Sequence, residues 1–368
     1  MPSWQSRIAS YMSSILLKRV ALRSNFGETE AVRFLRQRIE PQGALPRYLA
    51  GRLPRGVSHQ PITEGNVRGE WLWPAETPPK TSNSSAAYGS SARELPAPER
   101  DDAGCIFYLH GGGYFAGSPR SHRHLTARLA LTTRTRLFSL DYRLAPEHKF
   151  PAAVEDAVTA YCWLLERGED PARIVIGGDS AGGGLALAAM LWIRDAGLPL
   201  PAGAFLFSPW TDLAATGDSL VANDESDQMF CGRDVGRFSK VYFGEASPLD
   251  PLVSPLYASF HSLPPLRIYV SSAEVLLDDS VRLAERAIFD GVPVDLRIWP
   301  GLLHAWPVLV RFGIPESMRV VDEVAGFIRE RLLAGNPVPA PSPLHANIND
   351  NFYPTVVGSL GIDHPDKV

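Results

Sequence analysis

Gly178-Asp179-Ser180-Ala181-Gly182 is a Gly-x-Ser-x-Gly pentapeptide that stands between two contrasting patterns. The run before it, Ala172 to Gly177, is short and rich in β-branched residues, which is typical of a buried strand. The run after it, Gly183 to Trp192, is apolar and predicts a helix packed against a sheet. A serine in a tight turn between strand and helix projects its hydroxyl beside unpaired N–H groups, which stabilise negative charge. The stretch therefore predicts an α/β fold, with a strand and a helix on either side of the turn, and it predicts that Ser180 is a nucleophile.

Strands and helices are predicted to alternate from Cys105 onward. Strand candidates cover Val67–Trp73, Cys105–Leu109, Arg136–Leu140, Arg173–Gly177, Ala202–Phe207, Leu266–Ser271 and Val294–Ile298. Helical runs cover Arg120–Thr132, Ala152–Leu165, Ala181–Asp195, Arg233–Phe243, Asp278–Phe289 and Glu316–Leu333. This alternation predicts an α/β fold with a mostly parallel central sheet and helices on both faces.

Other segments flank or interrupt the alternation. Residues 1–55 predict an N-terminal helical cap segment, docked on the protein; the alternatives are a movable lid and a membrane-surface contact. Residues 56–335 form the expected catalytic domain. Within it, the Pro- and Ser-rich stretch 78–102 predicts an exposed loop, and residues 210–263, which carry turn signals and prolines, predict an inserted cap. Residues 336–368 form a Pro-rich tail.

Composition excludes several classes of protein. The net charge of −4 disfavours nucleic-acid binding, which needs a basic face. The 3 cysteines are scattered, so they predict neither a disulfide framework nor a metal site, and they favour a cytoplasmic, reducing compartment. We find no apolar run long enough for a transmembrane helix or a signal peptide. The glycine motifs lack the lysine of a phosphate-binding loop, and we expect neither a cofactor nor a metal.

A nucleophilic serine needs amide donors that stabilise an oxyanion. His110-Gly111-Gly112-Gly113 directly follows the strand Cys105–Leu109, and successive glycines let their N–H groups approach a substrate oxygen. We expect donors from this loop and from the Ala181 amide, with His110 organising the loop. The alternative is a glycine-rich turn that binds nothing.

The base is expected to be a histidine on a loop after a late strand. His304 fits, because it lies in a Pro- and Gly-containing loop just past Val294–Ile298. His261, in the inserted segment, is the rival candidate. The remaining histidines lie in the tail or out of the expected order.

The acid that orients the base has two candidates. Glu274 lies where the strand Leu266–Ser271 gives way to a loop, and a carboxylate there can accept the His304 ring N–H. Asp278 lies at the start of the next helix, where an acidic residue is explained by helix capping. We therefore favour Glu274 and keep Asp278 as the alternative.

With these residues assembled, the chain resembles the hormone-sensitive-lipase-like family of α/β-hydrolases from about Gly69 to Leu332, and within it the small-ester and lactone hydrolases. The resemblance rests on His110-Gly111-Gly112-Gly113, Asp141-Tyr142-Arg143-Leu144-Ala145-Pro146-Glu147, Gly178-Asp179-Ser180-Ala181-Gly182-Gly183, Ser208-Pro209-Trp210-Thr211-Asp212-Leu213 and the His304 loop.

The resemblance implies the α/β-hydrolase fold and a set of site residues: Ser180 as nucleophile, His304 as base, and Gly112, Gly113 and Ala181 as oxyanion donors. The family usually has Asp-Pro-Leu at the acid position, whereas this chain has Glu274-Val275-Leu276. His304 follows Glu274 by 30 residues, which fits the family layout.

Five neighbouring polar or aromatic residues receive supporting roles. We expect Asp141 and Arg143 to form a buried ion pair that braces the oxyanion loop. Asp179 is expected to hold that loop through hydrogen bonds. Trp210 and Asp212 are expected to shape the pocket floor or the cap hinge.

Together these residues predict a serine hydrolase that cleaves carboxylic esters or lactones of small to medium apolar substrates, and they leave a homodimer open. One alternative is an acyltransferase, thioesterase or formamidase-like amidase with the same residues. A second is a non-catalytic ligand receptor, a class marked by loss of the histidine. A third is an interaction protein that uses the Pro-rich tail.

Overall fold

The computed structural model describes residues 2–14, 18, 28–39, 53–75 and 104–334. The loop predicted over 78–102 and the tail 336–368 lie outside these residues, and the N-terminal segment 1–55 is described only in part.

Eight strands of the described chain form one sheet. In chain order they are β1 (Val57–Glu64), β2 (Val67–Pro74), β3 (Cys105–Leu109), β4 (Arg136–Leu140), β5 (Ile174–Asp179), β6 (Gly203–Phe207), β7 (Leu266–Ser271) and β8 (Val294–Trp299). Their spatial order is β1-β2-β4-β3-β5-β6-β7-β8. β2 pairs antiparallel with both β1 and β4, and every other neighbouring pair is parallel. The predicted mostly parallel sheet is confirmed.

Helices cover both faces of the sheet. They are α1 (Trp4–Ser13), α2 (Glu28–Ile39), α3 (Pro119–Thr133), α4 (Ala152–Glu166), α5 (Ala181–Asp195), α6 (Ser219–Ala222), α7 (Gly232–Phe243), α8 (Leu277–Phe289) and α9 (Pro315–Ala334). Short 3₁₀ helices cover Pro171–Arg173, Pro255–Tyr257 and Trp306–Phe312. None of the helices in the described segments is both long and apolar enough to cross a membrane.

Two apolar cores lie on opposite faces of the sheet. Successive residues of a strand point to opposite faces, so Phe107 of β3 packs with α4, α5 and α8, whereas its neighbours Ile106 and Tyr108 pack with α3 and α9. All five residues of β3 are buried. A strand buried on both faces is typical of the centre of a parallel sheet, and this position brings the C-terminal ends of β3 and β5 together.

β1 is a strand that was not predicted from the sequence. This strand forms a hairpin with β2 through Gly65 and Asn66, and Gly65 takes a positive φ of 55°. Its residues are only half-buried or exposed, and Pro61 lies in its middle. A strand at the edge of a sheet tolerates both features, because one of its sides carries no ladder hydrogen bonds.

The N-terminal helix α1 docks through its polar face. The Ser3 and Ser6 hydroxyls donate to Glu316 Oε2 at 2.7 and 2.8 Å. The apolar residues on which we based a docked helix point away from the protein instead, since Trp4 and Tyr11 are 63% and 59% exposed. Docking of this helix is thus achieved by hydrogen bonds rather than by apolar burial.

The insertion between β6 and β7 contains α6 and α7. The side chain of Lys18 donates from Nζ to the backbone carbonyl of Asp227 at 2.6 Å and to that of Asp224. In α2, Arg36 donates from Nε to the carbonyl of Phe115 at 2.6 Å and pairs with Glu147. The N-terminal segment therefore contacts both the insertion and the loop after β3.

A buried ion pair that fastens β2 to α3 should contribute far more stability than an exposed one on β1. Glu70 accepts from Arg123 Nε at 3.0 Å, and their side chains are 5% and 15% exposed. We expect Glu70→Gln to lower the free energy of unfolding by about 3 kcal/mol, because it removes the buried carboxylate that faces the Arg123 guanidinium. The matched change Glu64→Gln, in the exposed pair with Arg167, should cost less than about 1 kcal/mol. Urea unfolding of both variants measures this, and equal losses would contradict it.

Candidate active site

Ser180 lies in a strained turn between β5 and α5. Its φ is 53° and its ψ is −123°, an unfavourable backbone conformation for a residue with a Cβ atom. The turn is held in place because the Ser180 amide donates to the carbonyl of Phe207 at 2.8 Å, while its carbonyl accepts from Trp210 at 2.9 Å. Strain of this kind persists only where surrounding contacts over-determine it, and here it accompanies a serine that lines a cavity.

Two glycines of the pentapeptide are required by close backbone contacts. A Cβ atom on Gly182 would lie 2.1 Å from the carbonyl oxygen of Leu109, and one on Gly178 would lie 2.4 Å from that of Gly182. Neither position has room for a side chain. The first turn of α5 is thereby pressed against the end of β3, which brings the next loop beside Ser180.

That next loop carries the amide donors predicted from the sequence. Gly112 and Gly113 adopt positive φ values of 124° and 66° and line a cavity together with Ser180. Within the described residues, the amides of Gly112 and Gly113 donate to no backbone carbonyl, and neither does that of Ala181 at the first position of α5. Unpaired donors next to a serine hydroxyl are the arrangement needed to stabilise an oxyanion.

Asp179 fixes the loop to the strand that precedes Ser180. Its Oδ1 accepts from the Gly111 amide at 3.0 Å and from the Tyr108 hydroxyl at 2.7 Å, and its Oδ2 lies 3.2 Å from His122 Nε2. Burial opposes ionisation, yet His122 and the Tyr108 hydroxyl outweigh it and lower the pKa of Asp179. The hydrogen-bonding role expected for Asp179 is confirmed, but the sequence analysis had assigned no role to His122.

His110 braces the loop as a neutral side chain. Burial lowers the pKa of His110 to about 3, and its ring stacks on Tyr142 at a centroid distance of 4.2 Å. The Tyr142 hydroxyl also donates to the His110 carbonyl at 2.7 Å. A histidine that stays uncharged near neutral pH can pack in this way without an ionic partner.

The expected buried ion pair between Asp141 and Arg143 is wrong. Both residues are exposed, and Arg143 pairs with Asp156 at 2.8 Å and with Glu155 at 2.9 Å on α4. The two side chains point outward because the buried residue between them, Tyr142, takes the inward position. Tyr142 therefore does the bracing that we had assigned to the ion pair.

His304 and Glu274 form a short buried contact. His304 Nδ1 lies 2.6 Å from Glu274 Oε2, and both side chains are almost fully buried. His304 Nε2 has no hydrogen-bond partner within the described part of the chain. His304 and Ser180 both line the cavity, with no direct hydrogen bond between them. Contacts of this kind are often long before a substrate is bound.

The carboxylate determines the charge state of the histidine. Burial acts to lower the pKa of His304, but the attraction and hydrogen bond of Glu274 outweigh it, so the net pKa is raised. Burial also raises the pKa of Glu274, against the opposing effects of His304, the Ser208 hydroxyl and the Ser271 amide. An imidazolium formed at His304 would therefore be stabilised by this contact.

Ser208 is a supporting residue that the sequence analysis missed. Its hydroxyl donates to Glu274 Oε1 at 2.7 Å and accepts from the Ala305 amide at 3.1 Å. The Ser271 amide donates to the same carboxylate oxygen at 2.8 Å. One hydroxyl thus joins the acid to the loop of His304. In the sequence, Ser208 was marked only by its position directly after β6, at the start of the motif Ser208-Pro209-Trp210.

The rival candidates from the sequence, Asp278 and His261, have partners other than Glu274 and His304, and so does Asp279 beside Asp278. Asp278 accepts from the Ser219 amide at 2.8 Å, and Asp279 from those of Thr211 and Asp212 at 2.7 and 2.8 Å. His261 is exposed and lies 3.5 Å from Asp290. The structure therefore brings Glu274, and neither Asp278 nor His261, into the candidate site.

Asp212 and Trp210 have different surroundings. Trp210 lines the cavity, as expected for the pocket floor. Asp212 is buried, pairs with Arg282 at 2.9 Å, and accepts from the Thr216 amide at 2.9 Å. Its contacts hold the start of the insertion between β6 and β7.

Asp227 connects that insertion to the acid loop, the segment 272–276 that carries Glu274 between β7 and α8. Its Oδ1 accepts from the amides of Met229 and Phe230 at 2.7 and 2.9 Å, and its Oδ2 accepts from the Val275 amide at 2.9 Å. The Phe230 ring packs edge-on against His304, with centroids 5.1 Å apart. The insertion therefore supplies part of the wall around the histidine.

The cavity has a volume of about 350 Å³. Aromatic and aliphatic side chains provide most of its wall, among them Phe115, Trp210, Met229, Phe230, Phe238 and Leu309. Such a site is suited to the apolar part of a small ligand, with a few polar groups fixing the reacting atoms. Among the described residues there is no cluster of His, Cys, Asp or Glu that could hold a metal ion.

Comparison with known proteins gives concordant results. Residues 106–308 match the family described as alpha/beta hydrolase fold. An acetyl-hydrolase of Streptomyces hygroscopicus is 43% identical over 245 residues, which are 66% of this chain and 80% of the relative. An esterase of Acinetobacter venetianus is 36% identical over 223 residues, which are 60% of this chain and 73% of the relative.

Solved structures agree with these relatives. The crystal structure of an esterase from the bacterial hormone-sensitive lipase family is 34% identical, covers 90% of this chain and 99% of its own, and superposes with a TM-score of 0.75. The family match over residues 106–308 includes the loop after β3 and the turn that holds Ser180. The chain belongs to the hormone-sensitive-lipase-like family of α/β-hydrolases.

Proposed function

We propose that this protein is a serine hydrolase that cleaves carboxylic esters through an acyl-enzyme. The observation that carries the proposal is the convergence of Ser180, His304, Gly112 and Gly113 on one apolar cavity, with Glu274 hydrogen-bonded to the far nitrogen of the histidine. The acetyl-hydrolase and esterase names of the relatives support the same reaction class.

The residues of the site divide the reaction between them. Ser180 Oγ attacks the ester carbonyl carbon while His304 Nε2 takes the hydroxyl proton, and the amides of Gly112, Gly113 and Ala181 donate to the oxyanion that forms. When the C–O bond breaks, His304 returns the proton to the leaving alkoxide and an acyl-enzyme remains. Water then attacks the acyl carbon while His304 takes one of its protons. The bond between that carbon and Ser180 Oγ breaks, His304 returns the proton to Oγ, and the acid is released.

In this proposal, Glu274 is the acid that orients the imidazole ring of His304. Its Oε2 accepts the Nδ1 proton of His304, which leaves Nε2 as the basic nitrogen facing the cavity. The negative charge then stabilises the imidazolium that forms as Ser180 attacks. The position of Asp278, bonded to the Ser219 amide, supports this choice.

The insertion between β6 and β7 serves as the cap over the site, together with the N-terminal helices. Met229, Phe230, Val235 and Phe238 belong to the insertion and line the cavity. The apolar wall favours esters with small to medium apolar acyl or alcohol groups. Lactones, in which both products stay joined, fit the same chemistry.

We also propose a cytoplasmic site of action and retain the homodimer as a prediction. Cys105, Cys162 and Cys231 are all free and buried, as is common in reducing compartments. Cell fractionation after labelling with a serine-reactive phosphonate should recover the protein with cytosolic markers. Light scattering on the purified protein tests the dimer.

Replacing the nucleophile should abolish ester hydrolysis. We expect Ser180→Ala to lower kcat/KM on p-nitrophenyl esters of graded chain length by about 10⁴-fold or more, because no other group can form the acyl-enzyme. The control Ser247→Ala changes an exposed serine and should retain wild-type activity. Full activity in Ser180→Ala, or a wild type that hydrolyses none of these esters, would contradict the proposal.

The two acid candidates can be separated by neutral replacements. Glu274→Gln should lower kcat by about 10³- to 10⁴-fold, because an amide can no longer hold His304 in the required tautomer. Asp278→Asn should stay within about threefold of the wild type, since its carboxylate accepts from the backbone amide of Ser219 and an asparagine side-chain oxygen can accept the same bond. The opposite ranking of the two variants would overturn our assignment of the acid.

The pH profile reports the contact between Glu274 and His304. The base must be neutral to accept a proton, so kcat/KM should rise with pH through the pKa of His304, which Glu274 raises above its ordinary value. In Glu274→Gln the carboxylate is gone and burial dominates, so the rise should shift to lower pH. Asp278→Asn should leave the profile unchanged. A shift to higher pH in Glu274→Gln would contradict this account.

A further inference from the structure

One positive charge on the cavity wall lacks a counter-charge. The ionisable side chains that line the cavity are His122, Asp179, His304 and Arg311. Asp179 lies 3.2 Å from His122, and Glu274 lies 2.6 Å from His304. Arg311 makes neither an ion pair nor a hydrogen bond with its side chain anywhere in the described chain.

Arg311 is held close to the cavity by its position. It lies in the last turn of the 3₁₀ helix Trp306–Phe312, which follows the loop of His304, and its guanidinium lies 4.8 Å from the ring centre of Phe312. Carbonyls at a helix end favour a cation but supply no full negative charge. Partial burial lowers the pKa of Arg311, and no carboxylate opposes that effect. The guanidinium nevertheless stays protonated at neutral pH.

An unpaired guanidinium beside an apolar wall is suited to an anion. Its planar donors match the oxygens of a carboxylate or phosphate, and hydrogen bonds between charged groups are the strong ones. A neutral apolar group would gain nothing from Arg311, and a cationic group would be repelled. Arg311 lies near the far end of the 3₁₀ helix Trp306–Phe312, which begins two residues after His304, and five residues of such a helix span roughly 10 Å. We therefore expect the anion to lie several bonds from the reacting carbonyl.

We propose that Arg311 is a specificity residue that binds a carboxylate or phosphate at the end of the substrate remote from the ester bond. The inference rests on the proposed esterase function and narrows its substrate class. The preferred substrates would be esters with an apolar middle, which contacts Phe115, Phe238 and Leu309, and an anionic end.

The test compares esters that differ only at the remote end. Methyl esters of linear acids of graded length would end in a carboxylate, a phosphonate, a methyl group or an ammonium group. We expect wild type to favour the anionic esters over the methyl-ended ones by about tenfold or more in kcat/KM at the best length, mainly through KM. The preference should shrink as salt is added. The carboxylate and phosphonate arms identify which anion is bound.

Two substitutions assign the preference to this side chain. Arg311→Gln should reduce the preference for anionic over methyl-ended esters about tenfold, because it lowers kcat/KM on anionic esters far more than on methyl-ended ones. Arg311→Glu should favour ammonium-ended esters over anionic ones, a gain that a misfolded protein cannot show. The control Arg319→Gln removes an arginine whose side chain is 74% exposed, and it should behave as wild type.

The outcomes separate this inference from the proposed function. A wild type that hydrolyses methyl-ended esters without favouring anionic ones would overturn the role of Arg311 and leave the esterase function intact. A preference that survives both Arg311→Gln and Arg311→Glu would also overturn it. A wild type inactive on every ester would contradict the proposed function itself.

Discussion

The site depends on a backbone contact between the first turn of α5 and the end of β3. The carbonyls of Leu109 and His110 occupy the space that a side chain on Gly182 would need. This contact fixes how far the turn at Ser180 stands from the loop that begins at His110. Because both sides of the contact are backbone, it sets the closest approach of the turn and the loop, and the Asp179 side chain then holds the Gly111 amide of the loop. Preorganised amides of this kind need no rearrangement when charge develops.

Buried carboxylates at the same edge of the sheet hold the surrounding loops. Asp179 accepts from the loop after β3, Asp227 from the insertion and the acid loop, and Asp279 from the start of the insertion. Burial raises the pKa of Asp279 to about 7, although two backbone amides oppose the shift. Each carboxylate accepts from backbone N–H groups, which satisfy its buried oxygens without a second charged side chain; Asp179 additionally has His122 beside it. Among the described residues that line the cavity, Arg311 is the ionisable side chain that has no hydrogen bond or ion pair.

Much of the fold could be predicted because its signals are local. Alternating strand and helix patterns gave the bounds of most elements to within one or two residues, but β1 escaped because it is half-exposed and contains a proline. The serine turn and the glycine loop are contiguous motifs. Ser208 and His122 could not be found in the same way, since their partners Glu274 and Asp179 lie 66 and 57 residues away. Single serines and histidines carry no local pattern that reveals such contacts. The prediction of a buried pair between Asp141 and Arg143 was wrong for a different reason. The sequence shows that neighbouring residues point in opposite directions, but not whether Tyr142 or the residues beside it face inward.

The longer arm of Glu274 shows what geometry the site requires. A glutamate has one more methylene than the aspartate usual at this position, and an unrestrained arm would have several rotamers available. Here Oε1 is held by the Ser271 amide three residues earlier and by the Ser208 hydroxyl, and this leaves Oε2 facing His304. The Ser208 hydroxyl also accepts from Ala305, so the carboxylate and the histidine loop are tied to the same atom. The Ser271 amide and the Ser208 hydroxyl thus fix the position of the longer side chain. What the site requires is a carboxylate oxygen within hydrogen-bond distance of His304 Nδ1, and either residue type can provide it.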